Sequence, residues 1–258
     1  MAGRKPSLEG SLAKLERAEW HIGMVRAAVE RGTPLMNFQV EQSLDSHHTL
    51  TVNLVASEVP ELPRRWSLDI GDAVQNARAA LDYLAYELVA LESGGTYYER
   101  SQFPIAWEPD QHSARDRETI DRLGGHWDVI REYQPYGRPA DVFSAALGIL
   151  RDYSNQDKHR LLVPVSVAAD LNSTMLVHPG EGVTRLERAF FHTGVIEPGT
   201  ILVREEFVAL DDNPTIFPTP AYTPVVCLAE WPTLPVYDTL RAIHRKAELL
   251  INRFVELF

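Results

Sequence analysis

The chain has 258 residues, 45% of them hydrophobic and 24% charged, a globular composition long enough to bury a sizeable core and unlike that of a disordered segment. Its 25 basic residues face 36 acidic ones, a net charge of −11. A field of that sign repels polyanions and argues against an extended nucleic-acid-binding face.

The first residues, Met1 to Pro6, are small and basic, and no apolar core of a targeting signal follows Arg4 and Lys5. A helix comes next. Leu8, Leu12, Leu15, Ile22, Val25 and Val29 keep the three-four spacing of one face, with Ala18 filling the gap. Ser7 is placed to cap its start, and Gly32 with Pro34 ends it. Met36, Phe38 and Val40, then Leu50, Val52 and Leu54, alternate with polar residues. This predicts a β-hairpin turning at Asp45-Ser46-His47-His48. Neighbouring strand residues point to opposite faces, so His47 and His48 are expected to be solvated rather than a ligand pair.

The second helix, Ser67 to Glu92, carries Ile70, Val74, Ala77, Leu81, Leu84, Leu88 and Leu91 in an unbroken seam ended by Gly94-Gly95. After Phe103-Pro104-Ile105, shorter helices are predicted near 113–123 and 126–133. Asp141 can cap a further helix running to Ser154, with Phe143, Leu147 and Leu150 facing inward. The texture then turns to β. Leu161–Val167, Thr174–His178, Val183–Phe191, Thr200–Leu210 and Pro224–Leu228 are strand-like, between Gly and Pro punctuation. Cys227, the single cysteine, lies in the last of these and is expected to be a small buried hydrophobe. One thiol fits a reducing compartment.

The C-terminal helix starts near Pro235 and carries Val236, Leu240, Ile243, Ala247, Leu250, Phe254 and Leu257. No stretch reaches the roughly 18 apolar residues of a membrane span. The expected class is α+β, a bundle of long amphipathic helices with an antiparallel β-sheet region packed to one side. It is read as one domain, 1–258. Segments 7–32, 67–157 and 234–258 form its helical core, with a β-hairpin at 35–56 and a β-rich region at 161–230. A cytoplasmic location without membrane contact is expected.

Two segments carry polar residues that local structure does not explain. On the second helix, Asp72, Asn76 and Tyr83 form a stripe beside the apolar seam, and Arg78 and Asp82 stand four apart. The other is the corner Asn155-Gln156-Asp157-Lys158-His159-Arg160. His159 is flanked by a carboxylate that can orient it, Asp157, and by Lys158 and Arg160, whose charges lower an imidazole pKa. The plain alternative is a cluster that satisfies the free carbonyls of a helix end. Asp72, Asn76, Asp157 and His159 are a mixed oxygen and nitrogen set, but nothing in their spacing demands a metal and none is expected. The Asp211-Asp212 and Glu205-Glu206 pairs are expected to be solvated. Glycine-rich nucleotide loops, zinc-protease helices and nucleophile elbows are absent from the sequence, so no cofactor is expected.

These segments, with Phe103-Pro104-Ile105 and Gln134-Pro135-Tyr136 between them, resemble a group of functionally uncharacterised bacterial proteins. The shared pattern is a Gly-Asp-x-x-x-Asn-x-Arg-x-x-Leu-Asp helix, then Phe-Pro-Ile, then an Asn-x-Asp-Lys-His-Arg corner, and it covers residues 66–162. A weaker resemblance is to HEPN-type helical domains, many of them RNases, in which an Arg is followed by four to six residues and then a His on one helix. The resemblance to the bacterial group implies a His at position 83, which would complete such an Arg-x-x-x-x-His from Arg78. This chain has Tyr83, a poor general base at neutral pH.

The leading expectation is therefore a non-catalytic binding or accessory protein with a protein partner or as a homodimer. The alternative is a HEPN-like RNase or other hydrolase. Its catalytic residues would be His159, Arg78 and Asp157, and Asn76, Asp72, Asp82, Tyr83, Asn155, Lys158 and Arg160 would contribute binding.

Overall fold

The computed structural model describes residues 5–31, 36–59, 61–137, 141–159, 165–169, 174–179, 181–221, 224–228 and 231–258. The fold is α+β, with every strand pairing antiparallel. The chain divides into two compact units, Met1–Ala28, Arg64–Val163 and Val236–Phe258 in one, Val29–Pro63 and Pro164–Pro235 in the other. No helix among the described residues is long and apolar enough to cross a membrane.

The first unit is helical. Its elements are α1 (Glu9–Glu30), α2 (Arg64–Glu92), α3 (Ala114–Leu123), α4 (His126–Arg131), α5 (Val142–His159) and α6 (Val236–Asn252). Here α2, α5 and α6 pack on one another. The α2 seam explains why. Ile70, Val74, Leu81, Leu84 and Leu88 are all fully buried, and a stripe of this length needs long partners. Gly94 and Gly95 end α2 with positive φ, and the Gly95 N–H reaches back to the Ala90 carbonyl at 2.7 Å, the left-handed exit a Cβ disfavours. Ser113 and Asp116 form a reciprocal capping box on α3. Asp141 accepts from the Ser144 N–H at 2.9 Å, and that bond holds its carboxyl below the usual range.

Two helix expectations are corrected. Leu12 is 47% exposed, and its place on the buried face of α1 is taken by Ser11 and His21 beside Leu8, Leu15, Ala18, Ile22 and Val25. At 3.6 residues per turn the buried stripe drifts around the helix and leaves Leu12 on its flank. The α5 helix does not give way at Ser154. It runs on to His159, because Asn, Gln, Asp, Lys and His each cost only a few tenths of a kcal/mol in a helix and no Gly or Pro intervenes. The corner is helical as far as His159.

The second unit holds a four-stranded sheet in the order β1-β2-β6-β5, a three-stranded sheet β3-β8-β9 and a β4-β7 pair. Its strands are β1 (Asn37–Leu44), β2 (Thr49–Glu58), β3 (Val165–Ala169), β4 (Thr174–Pro179), β5 (Val183–Phe191), β6 (Ile201–Ala209), β7 (Ile216–Ala221), β8 (Pro224–Leu228) and β9 (Trp231–Pro235). The β1-β2 hairpin turns where expected, with the Asp45 carboxylate accepting the N–H groups of His47 and Thr49 and both histidines exposed. Leu50, Val52 and Leu54 of β2 and Val203, Phe207 and Ala209 of β6 build one core. Cys227 is fully buried.

Strands β7 and β9 were not expected, because Pro218, Pro220 and Pro232 read as punctuation and Pro235 as the start of a helix. Proline removes a ladder donor and is confined to edges. Both strands sit where that is tolerated: β9 is the outer strand of its sheet, and β7 pairs only with β4 among the described residues. Glu205 also departs from expectation, having been read as solvated. It is 5% exposed, because alternation along β6 turns it inward with Val203 and Phe207, and burial pushes its carboxyl pKa up.

Candidate functional site

All the site geometry below belongs to the helical unit. The expected constellation separates onto different faces of α2, and each face does something different.

Arg78 is buried, at 8% exposure. Its Nη2 donates to the Phe103 carbonyl at 2.7 Å and lies 3.0 Å from Asp82 Oδ1, while Nε donates to Asp82 Oδ2 at 3.4 Å. Asp82 Oδ1 in turn accepts the Phe103 N–H at 2.8 Å. From the other side, Gln134 Oε1 accepts the Ala106 N–H at 3.1 Å, and its Nε2 donates to the Pro104 carbonyl at 2.9 Å. Phe103, Ile105 and Ala106 are buried. A loop sunk in a core must have its backbone polar groups answered. Three side chains answer four of them here. The i,i+4 pair and the Phe-Pro-Ile segment are therefore parts of one clamp.

The clamp extends outward. Gln102 donates to Asp116 Oδ1 at 2.8 Å. His112, buried beside Asp116, shares a 2.8 Å hydrogen bond with the Tyr136 hydroxyl through Nε2, and its buried Nδ1, 4.0 Å from Asp116 Oδ2, has no hydrogen-bond partner among the described residues. Desolvation lowers the His112 pKa, Asp116 opposes that, and Arg151 and Arg117 reinforce it. Trp107 lies across α5, donating to Asp152 at 2.9 Å over Gly148, where a Cβ would come within 2.4 Å of the indole.

The α1-facing side of α2 holds Asp72, Asn76 and Tyr83. Asp72 is exposed, with Oδ2 3.9 Å from His21 Nδ1 of α1. Asn76 donates to the Asp72 carbonyl at 2.8 Å and accepts from Lys14 Nζ at 3.4 Å. Tyr83 lies against Gly10, where a Cβ would approach its ring to 3.2 Å. On a third face, Gln75 donates to the Ser154 carbonyl at 3.0 Å and ties α2 to the last turns of α5. Asn155 is exposed. Arg160 lies outside the described residues, as do the side chains of Asp157, Lys158 and His159.

No family model, curated protein or solved structure matches this chain. Among the described residues no group of three or more His, Cys, Asp or Glu could hold a metal ion.

The sequence did not point to several polar groups that the fold gathers. Gln134 was visible only as part of the Gln-Pro-Tyr resemblance. Lys246 of α6 is buried, its ammonium 4.7 Å from the Phe143 ring centre and 5.8 Å from that of Tyr133. Burial lowers its pKa, partly offset by Asp141. His244, also buried, stands 3.5 Å from Glu19 of α1. Both occupy the inward side of a helix whose apolar spacing masks them. Lys14 and Arg17 were passed over because α1 is charged along its whole outer face.

Proposed function

We propose that this chain is a non-catalytic binding or accessory protein of the bacterial cytosol, acting through what it holds rather than through turnover. The observation that carries this reading is the employment of Arg78. A phosphate-holding arginine needs its fork directed at solvent or ligand. Here Nη2 and Nε are spent on Asp82 and the Phe103 carbonyl, and the side chain is buried. Tyr83 in place of an imidazole supports the same reading, since the phenol is a poor base at neutral pH. The resemblance to the bacterial group then reflects a shared scaffold, with the Arg-Asp pair and Phe-Pro-Ile segment as its fastening.

The working assembly is a homodimer or a complex with a protein partner. Native mass spectrometry of protein purified gently from its own cytosol reads the subunit count and any retained molecule. The catalytic question is tested with Arg78→Lys and His159→Ala. The binding reading expects a lower melting temperature for Arg78→Lys and no enzymatic phenotype for either. Loss of a measured activity in His159→Ala at unchanged melting temperature overturns it.

A further inference from the structure

Along one side of the helical unit, α1 and α2 part to leave a trough of about 580 Å³, within the size range of small-molecule sites. Its floor is small. Gly10 and Ala13 line it, and a Cβ at position 10 would press on the Tyr83 ring at 3.2 Å. Tyr83 stands as one wall, 41% exposed although its neighbours Leu81 and Leu84 on the same helix are fully buried. An aromatic ring left uncovered beside a glycine offers a flat face for stacking.

Two cations reach the same trough, Lys14 and Arg17. Neither makes an ion pair among the described residues, in a chain with 36 carboxylates for 25 basic residues. Each is nevertheless held in place. Lys14 Nζ is 3.4 Å from Asn76 Oδ1, and Asn76 is itself fixed by its bond to the Asp72 carbonyl. The Arg17 guanidinium lies over the Trp20 ring at 4.3 Å. Cations positioned in advance lose less freedom when an anion arrives. Glu9 also lines the trough, so its side chains sum to one positive charge, which suits a small anion. The −11 of the whole chain disfavours a long polyanion.

We propose that this trough binds a small phosphate monoester bearing a flat ring, of the nucleoside monophosphate class. Lys14 and Arg17 hold the phosphate, Lys14 as a point charge and Arg17 as a planar fork. Tyr83 stacks on the ring, and Asn76 positions Lys14. The inference rests on the non-catalytic binding reading and supplies the ligand that reading lacks.

The test is isothermal titration of the full-length chain with adenosine 5′-monophosphate, adenosine and inorganic phosphate. The monophosphate is expected to bind at least about tenfold more tightly than either fragment. Lys14→Gln and Arg17→Gln should each weaken it about tenfold at unchanged melting temperature. Tyr83→Leu, which keeps the packing on Gly10 but removes the π-face, should weaken the nucleotide and spare inorganic phosphate. Added salt should weaken the nucleotide as well. No binding at millimolar nucleotide, or equal binding by the Lys14→Gln/Arg17→Gln double variant, overturns the site. Phosphorus NMR of the same mixtures separates the two claims. New phosphorus species overturn the non-catalytic reading whatever the affinity, while absent binding without turnover overturns the trough alone.

Discussion

Two polar regions lie on different faces of the same stretch of α2, and they are built on opposite principles. In the clamp around residues 102–106, Arg78, Asp82 and Gln134 are each bonded to backbone groups of a buried loop. In the trough beside α1, Lys14 and Arg17 are steadied by neutral neighbours and paired with no carboxylate among the described residues. The difference separates architecture from availability. A buried charge whose bonds are all internal gives nothing to a ligand and costs several kcal/mol to disturb. A half-exposed charge without a partner contributes little to stability and keeps its bonding capacity for something else.

The largest expected effect breaks the clamp. Arg78→Ala should cost about 3 kcal/mol, since it leaves the buried Phe103 carbonyl unanswered, takes the cation from Asp82 and opens a gap in the core, and urea unfolding measures it. Arg78→Lys should recover only part of that, because an ammonium cannot reproduce the fork. Gln134→Ala comes next, at about 2 kcal/mol, for leaving the Ala106 N–H and the Pro104 carbonyl unanswered. A loss below about 0.5 kcal/mol in either alanine variant would mean that the loop finds other partners.

A smaller effect follows pH. Burial depresses the His112 pKa below its ordinary 6.5, so the unfolded chain binds a proton that the folded chain refuses. The stability from this neutral imidazole is therefore full above 6.5 and is lost as pH falls through the folded value. His244, lowered by burial against the pull of Glu19 and Glu248, adds to the same slope. His112→Gln should flatten the fall in urea midpoint between neutral and mildly acidic buffers. An unchanged slope would remove His112 from the clamp's energetics. The smallest effect sharpens the contrast from the other side. Lys14→Gln and Arg17→Gln should leave stability within about 0.5 kcal/mol of the parent, so that any binding defect they show is a defect of the trough.

Much of the fold was legible because periodicity is local. The α2 seam, the hairpin turn at Asp45, the short helix near 113–123 and the strand at Val183–Phe191 each follow from residues within one or two turns of one another. Legibility failed where more than one periodic reading was open and packing chose between them. Leu12 fits an apolar spacing but lies outside the stripe that α1 buries. Pro218 and Pro220 read as a break until a single pairing partner made room for them. Glu205 looked like half of a solvated pair until alternation along β6 carried it inward.

The candidate site divides in the same way. The sequence by itself determined which residues were unusual: Arg78 and Asp82 four apart on a helix, a stripe of Asp72, Asn76 and Tyr83, and a Phe-Pro-Ile segment without secondary structure. Only the tertiary structure decided that the first pair fastens the segment, 21 to 25 residues away, and that the stripe faces Lys14 and Gly10 across 62 to 73 residues of chain. The physical reason is that a polar side chain has no fixed meaning until its partner is known. Hydrogen bonding and desolvation act between groups in space, and a single chain spells out only their order.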